Sequence, residues 1–111
     1  MKTTREFVPA DRYRYDLGPC SIKNGFAQVD TDQDAWYFGT WANPEKLVIF
    51  CYCEGDTTFQ QAESADEFVA EMRKIEQWNK EQGHRFIGVD PGFNEALAEG
   101  FRALGLGDML H

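Results

Sequence analysis

At 111 residues, 42% of them hydrophobic, the chain has the length of one domain with one core, and no second is expected. Its net charge of −8 is uneven: residues 1–24 hold five Lys or Arg (Lys2, Arg5, Arg12, Arg14, Lys23) against three acids (Glu6, Asp11, Asp16), giving +2, and residues 25–111 hold six against sixteen, giving −10. An acidic body repels phosphate backbones, so no direct nucleic-acid binding is expected, and a charge of this size is also what solubility alone asks of a small domain.

Met1 to Asn24 scatters Phe7, Val8, Tyr13, Tyr15, Leu17 and Ile22 among the turn formers Pro9, Gly18 and Pro19. Tyr13 and Tyr15, alternating with Arg12, Arg14 and Asp16, fit a short strand. Charged residues at Lys2, Arg5, Glu6 and Asp11 interrupt any apolar block, so neither a secretory signal nor a membrane span is expected. The expected compartment is the cytoplasm, with no membrane partner. Three cysteines, Cys20, Cys51 and Cys53, are an odd number for a disulfide framework and read as reduced thiols.

Gly25 to Thr31 alternates as a strand does, and Thr31 to Asp34 reads as a turn. Ala35 to Ala42, with Trp36, Tyr37, Phe38 and Trp41, is a second strand. Asn43-Pro44-Glu45-Lys46 turns the chain, since Pro44 presets φ for the second position of a turn and Asn43 suits the first. Lys46 to Glu54 follows, containing Leu47, Val48, Ile49, Phe50, Cys51, Tyr52 and Cys53. It is too short for a membrane span and too rich in branched and aromatic residues for a surface helix. It predicts a central strand apolar on both faces. Glu54-Gly55-Asp56 is a hairpin signal, and Thr57 to Gln61 reads as a more polar edge strand. Short connections favour an antiparallel meander of four strands.

Ser64-Ala65-Asp66-Glu67 is a capping box, in which Ser64 accepts an orphan amide and Glu67 reaches back. The helix it starts places Phe68, Met72, Ile75 and Asn79 on one stripe with Val69 and Trp78 beside them. Gly83 ends it after about 18 residues, a length of roughly 27 Å. Arg85 to Val89 reads as a short apolar link or fifth strand. Asp90-Pro91 starts a second helix with Phe93, Leu97, Phe101 and Leu104 on its apolar face, stopped by Gly105 or Gly107. Gly100 lies inside that helix. Glycine there costs about 1 kcal/mol against alanine, which points to close approach of another element.

The expected fold is therefore a single two-layer α+β domain over residues 1–111: an antiparallel sheet of four strands, or five, followed by two helices packed on one face. Both faces of the sheet carry large apolar groups, because Trp36 and Phe38 oppose Tyr37 and Trp41, while Leu47, Ile49, Cys51 and Cys53 oppose Val48, Phe50 and Tyr52. Two helices cover only one face. The second is met either by residues 1–24 folding across it, the simpler arrangement, or by another molecule. In the latter case Trp36, Tyr37, Phe38, Trp41, Val48, Phe50 and Tyr52 form the partner surface, for a homodimer or for another protein.

Motifs that carry chemistry are sparse. Asp30, Asp32 and Asp34 resemble the opening of a calcium loop, but Ala35 replaces its glycine and Trp41 its bidentate glutamate. Cys51 and Cys53 share one face of a strand and, with Cys20 and His84, hold the ligand types for zinc without the usual spacing. Buried cysteines behave as small hydrophobes, which is the plainer reading. Glu63, Asp66, Glu67, Glu71, Glu76 and Glu81 line the first helix and its approach in a way that imitates a nucleic-acid backbone. Arg73, Lys74 and Lys80 interrupt them, and pairs such as Glu76 with Lys80 are ordinary on an exposed helix. No catalytic, metal or cofactor residue is assigned, and no cofactor is expected.

Four segments carry a resemblance: Thr40-Trp41-Ala42-Asn43-Pro44, Tyr52-Cys53-Glu54-Gly55-Asp56, Trp78 to Gly83, and Asp90-Pro91-Gly92-Phe93. Together they resemble a group of small bacterial proteins found on plasmids and integrated elements, over most of the chain from Tyr13 onward. The resemblance implies a cytoplasmic accessory protein of a mobile element and carries over no catalytic residue. The sequence thus points first to a non-enzymatic interaction or self-associating module. The alternatives are an acidic decoy that occupies the DNA site of a host protein and, more weakly, a small metal-dependent enzyme built on Cys51, Cys53 and His84.

Overall fold

The computed structural model describes residues 2–7, 25–31, 38–53, 56–83, 85–86 and 95–110. Four strands, β2 (Ala27–Thr31), β3 (Phe38–Asn43), β4 (Val48–Cys53) and β5 (Asp56–Gln61), form the antiparallel meander that the short connections predict. Helix α1 (Ala65–Gln82) follows, and α2 (Glu95–Ala103) leads into a 3-10 turn at Gly107–Met109. The protein is an α+β domain. Two further strands lengthen the sheet: β1 (Lys2–Phe7) pairs with β5, and β6 (Arg85–Phe86) pairs with β2, giving the order β1-β5-β4-β3-β2-β6.

One expectation changes here. Thr57 to Gln61 is an inner strand, because β1 pairs with it along its whole length from Lys2 opposite Gln61 to Phe7 opposite Asp56. Residues 2–7 of the segment expected on or beside the sheet lie beside it, and residues 8–24 lie outside the described residues. Pairing Lys2–Phe7 with β5 satisfies backbone groups of β5 that an edge would leave open. The expected strand around Tyr13 and Tyr15, residues Asp32 to Asp34 of the expected turn, residues Ala35 to Tyr37, Glu54-Gly55, and the start of the second helix at Asp90-Pro91 lie outside the described residues, while Thr31 ends β2.

The β3–β4 hairpin shows how local chemistry sets register. Asn43 is opposite Val48, and the Asn43 side-chain Oδ1 accepts the Lys46 amide at 2.9 Å, holding the turn that Pro44 opens. Leu47 closes it with φ of 57°, a left-handed conformation that costs an L-residue about 1–2 kcal/mol. Leu47 thus belongs to the turn, and β4 begins one residue later. Its side chain still packs on the helix-side core, and its carbonyl accepts the Ala62 amide at 2.9 Å. These contacts are what offset the strained backbone.

Helix α1 runs for 18 residues between the two expected caps. The Glu67 amide donates to Ser64 Oγ at 3.1 Å, and Gly83, at φ 72°, donates to the carbonyls of Asn79 and Lys80. Helix α2 ends in a left-handed Gly105 at φ 76°; the Gly105 amide donates to the Arg102 carbonyl at 3.0 Å and the Leu106 amide to that of Phe101 at 2.9 Å. This paired arrangement uses up orphan carbonyls and brings Leu106 onto Phe101 in the core.

Both helices lie on the same face. Ala27, Val29, Ala42 and Ile49 of the sheet meet Phe68 and Met72 of α1, Leu97 and Phe101 of α2, and Leu106 and Met109 of the C-terminal turn. The pairing of β2 with β3 shifts between Gln28 and Asp30, which leaves Val29 without a direct opposite residue; Val29 is fully buried in this core. Gly100 explains itself. A Cβ there would stand 2.9 Å from Pro44 Cγ, so the β3–β4 turn seats directly on α2 and only glycine leaves room for it. Trp78 departs from its expected place beside the apolar stripe and is 42% exposed.

Candidate interaction surface

The second face of the sheet is built from alternate residues of the inner strands. Trp41 of β3 is opposite Phe50 of β4, which is opposite Phe59 of β5. Their rings form a row, with centroids 5.5 Å apart for Trp41 and Phe50 and 4.9 Å for Phe50 and Phe59, tilted at 46° and 40°. Such tilted pairs are worth about 0.5–1.5 kcal/mol beyond the area they bury. Phe26 completes a second core with Trp41 and Phe50, and Val48 and Phe59 pack against it half-buried.

This geometry corrects the expected partner surface at its centre. Trp41 and Phe50 keep only 6% and 3% of their exposure, so neither is open to a partner. They are core. Val48 is half-buried. Phe38 opens β3 opposite Cys53, and Tyr52 is opposite Gly39 and Thr57, while Trp36 and Tyr37 lie outside the described residues.

The cysteines divide by depth. Cys51 is half-buried on the helix face, with its Sγ 3.8 Å from Thr40 Oγ1, and Cys53 is exposed at the end of β4. Cys51 and Cys53 form no disulfide among the described residues. His84 and Cys20 lie outside the described residues, and among the described residues no three His, Cys, Asp or Glu groups gather as metal ligands would. On α1 the acids are partly answered: Lys74 Nζ is 3.6 Å from Glu71, and Arg73 is 3.5 Å from Glu76. Arg73 also grips Asp108 with both guanidinium nitrogens at 2.8 Å and donates to the Gly105 carbonyl, tying the C-terminal turn to α1. The hydrogen bonds from Arg73 hold the Asp108 carboxyl below its ordinary value of 3.8. On α2, Arg102 bonds to Glu95 and Glu99 in the same way. An array neutralised at these points is a weaker imitation of phosphates than the sequence alone suggests.

No family model, curated protein or solved structure matches this chain. No helix among the described residues is long and apolar enough to cross a membrane.

The structure does present one feature that the sequence reading passed over. β1 closes one end of the sheet: it is bonded to β5 along one side, and among the described residues no strand pairs with its other side. At the opposite end β6 contributes two residues among those described. The outer side of an end strand carries alternate amides and carbonyls, the groups by which one sheet recruits another strand. Lys2–Phe7, which reads Lys-Thr-Thr-Arg-Glu-Phe, has no apolar alternation to mark it as a strand.

Proposed function

We propose that this protein is a non-enzymatic interaction module that works by strand addition at the outer side of β1. The observation that supports this reading is the position of β1, a six-residue strand at the end of the sheet with pairing on one side only among the described residues. Main-chain hydrogen bonding supplies affinity in such contacts, and alternate side chains supply specificity. The mildly basic start of an otherwise acidic chain puts the positive charge of the molecule in the same segment. The resemblance to small proteins of plasmids and integrated elements supports an accessory role for such a module in a mobile element.

Proline substitution tests this directly. Adjacent residues of a strand turn their amides to opposite sides, so one of Thr3→Pro and Thr4→Pro removes an amide from the outer side and leaves the ladder to β5 intact. The variant that keeps the wild-type melting curve is the informative one. Full-length protein with a C-terminal tag, recovered from its native cell, is expected to bring down its partner or further copies of itself, and this variant is expected to lose them. Recovery unchanged in that variant would overturn strand addition. Stoichiometric zinc in protein purified without chelator would instead favour the enzyme built on Cys51, Cys53 and His84.

A further inference from the structure

We infer that the strand added at β1 is β1 of a second copy, paired antiparallel about a two-fold axis through Thr4. This inference rests on the strand-addition reading and names its partner. In an antiparallel pair, two residues directly opposite each other either both turn their amide and carbonyl toward the other strand or both turn them away. When the two strands are identical, this condition admits only registers centred on a residue. Within Lys2–Phe7, two such registers oppose five residues of each copy, one centred on Thr4 and one on Arg5.

Charge separates them. Centring on Thr4 sets Lys2 opposite Glu6 twice, Thr3 opposite Arg5 twice, and Thr4 opposite itself. Centring on Arg5 sets Arg5 opposite Arg5, with Thr4 against Glu6 and Thr3 against Phe7. Opposite charges across a strand pair stabilise it and like charges destabilise it, so the Thr4 register is the self-complementary one. The residues directly opposite Lys2, Arg5 and Glu6 in β5 are Gln61, Thr58 and Thr57, all uncharged. Charged edge strands ordinarily discourage association. Here the pattern discourages the Arg5 register and leaves the other open.

The product is a continuous sheet with six strands from each copy. A contact of one strand per copy is small beside the roughly 1,200 Å² at which stable interfaces begin, and both bodies are acidic, so the dimer is a reversible one that concentration populates. The same isologous symmetry means that each substitution acts at two places in the interface.

Sedimentation equilibrium of the intact chain, up to about 1 mM, tests the pairing and its register. Lys2→Glu and Glu6→Lys each turn both cross-strand pairs repulsive and are expected to weaken dimerisation about tenfold. Since their β5 neighbours are uncharged, melting curves should stay at the wild-type position. The double variant Lys2→Glu/Glu6→Lys is expected to recover wild-type dimerisation, and an equimolar mixture of the two single variants is expected to form heterodimers in preference to either homodimer. A dimer indifferent to these exchanges would overturn the register and the partner surface. A wild-type monomer throughout the concentration range would overturn self-pairing. If the proline variant still loses a different co-purified protein, strand addition survives that result; if it loses nothing, strand addition falls too.

Discussion

The two faces of this sheet reach similar burial by opposite distributions of volume. On the helix side the strands contribute small or medium residues, Ala27, Val29, Thr40, Ala42 and Ile49, and the bulk comes from Phe68, Met72, Leu97 and Phe101 on the helices. On the other side the strands themselves carry the bulk, as Trp41, Phe50 and Phe59. The difference follows from what packs where. A helix laid on a sheet brings its own large side chains into a fixed gap, so the strands beneath must be slim, whereas on the other face the described bulk belongs to the strands and adds contacts between neighbouring rings.

Truncating one large residue on each face probes this comparison most strongly. Phe68→Ala and Trp41→Ala are each expected to lower stability by about 3–5 kcal/mol in chemical denaturation, because each empties a buried site. Their effects should add to within about 0.5 kcal/mol, since the sheet separates the two cores. Strong non-additivity would show that the two faces form one core.

A smaller effect is expected where the β3–β4 turn meets α2. Gly100→Ala adds a Cβ 2.9 Å from Pro44 Cγ, and overpacking of about 1–3 kcal/mol outweighs the roughly 1 kcal/mol that alanine gains in helix propensity. Pro44→Ala removes the obstructing atom. Thermal melts of the double variant should therefore show Gly100→Ala turning neutral or stabilising in that background. If Gly100→Ala is destabilising to the same degree with and without Pro44, the turn is not what the glycine accommodates.

Ser64→Ala tests the entry to the helix layer. Loss of the bond to the Glu67 amide is expected to cost about 1 kcal/mol, and Ser64→Asp should preserve stability, because a carboxylate accepts the same amide and suits a helix N-terminus. The smallest effect belongs to the Arg73–Asp108 pair. Its side chains are 39% and 60% exposed, so solvent screening limits it to about 0.2–1 kcal/mol. The folded-state carboxyl of Asp108 is lowered, hence its contribution is complete above the ordinary value of 3.8 and disappears as pH falls through the folded value. Asp108→Asn should remove that part of the acid dependence and leave stability near neutral pH only slightly reduced. An unchanged acid limb in the melting curves would deny the pair this role.

Much of the architecture was legible because it is written in local chemistry. Ser64 and Gly83 bound α1 where short-range capping rules place them, and Asn43-Pro44 makes the hairpin turn through its own side chain and ring. Gly100 signalled a close contact without naming the partner, since Pro44 lies 56 positions earlier and no local rule connects them. Trp78 misled for a related reason: at the margin of an amphipathic stripe, periodicity alone does not say how far the sheet extends beneath the helix. The candidate surface was less legible still. Trp41 and Phe50 read equally well as partner-facing or core, and the Lys-Thr-Thr-Arg-Glu-Phe of β1 carries no alternation that marks a strand.

The sequence by itself determined the strands of the meander, the helix caps, the apolar character of both sheet faces and the acidic charge, because each depends on side chains close together along the chain. Only the tertiary structure decided that Lys2–Phe7 joins the end of the sheet, that Thr57 to Gln61 is thereby an inner strand, and that Trp41 and Phe50 are buried. Those are questions of which distant backbone completes which ladder. Pairing between β1 and β5 brings together residues about 50 to 60 positions apart, and a strand's own sequence does not mark its neighbour.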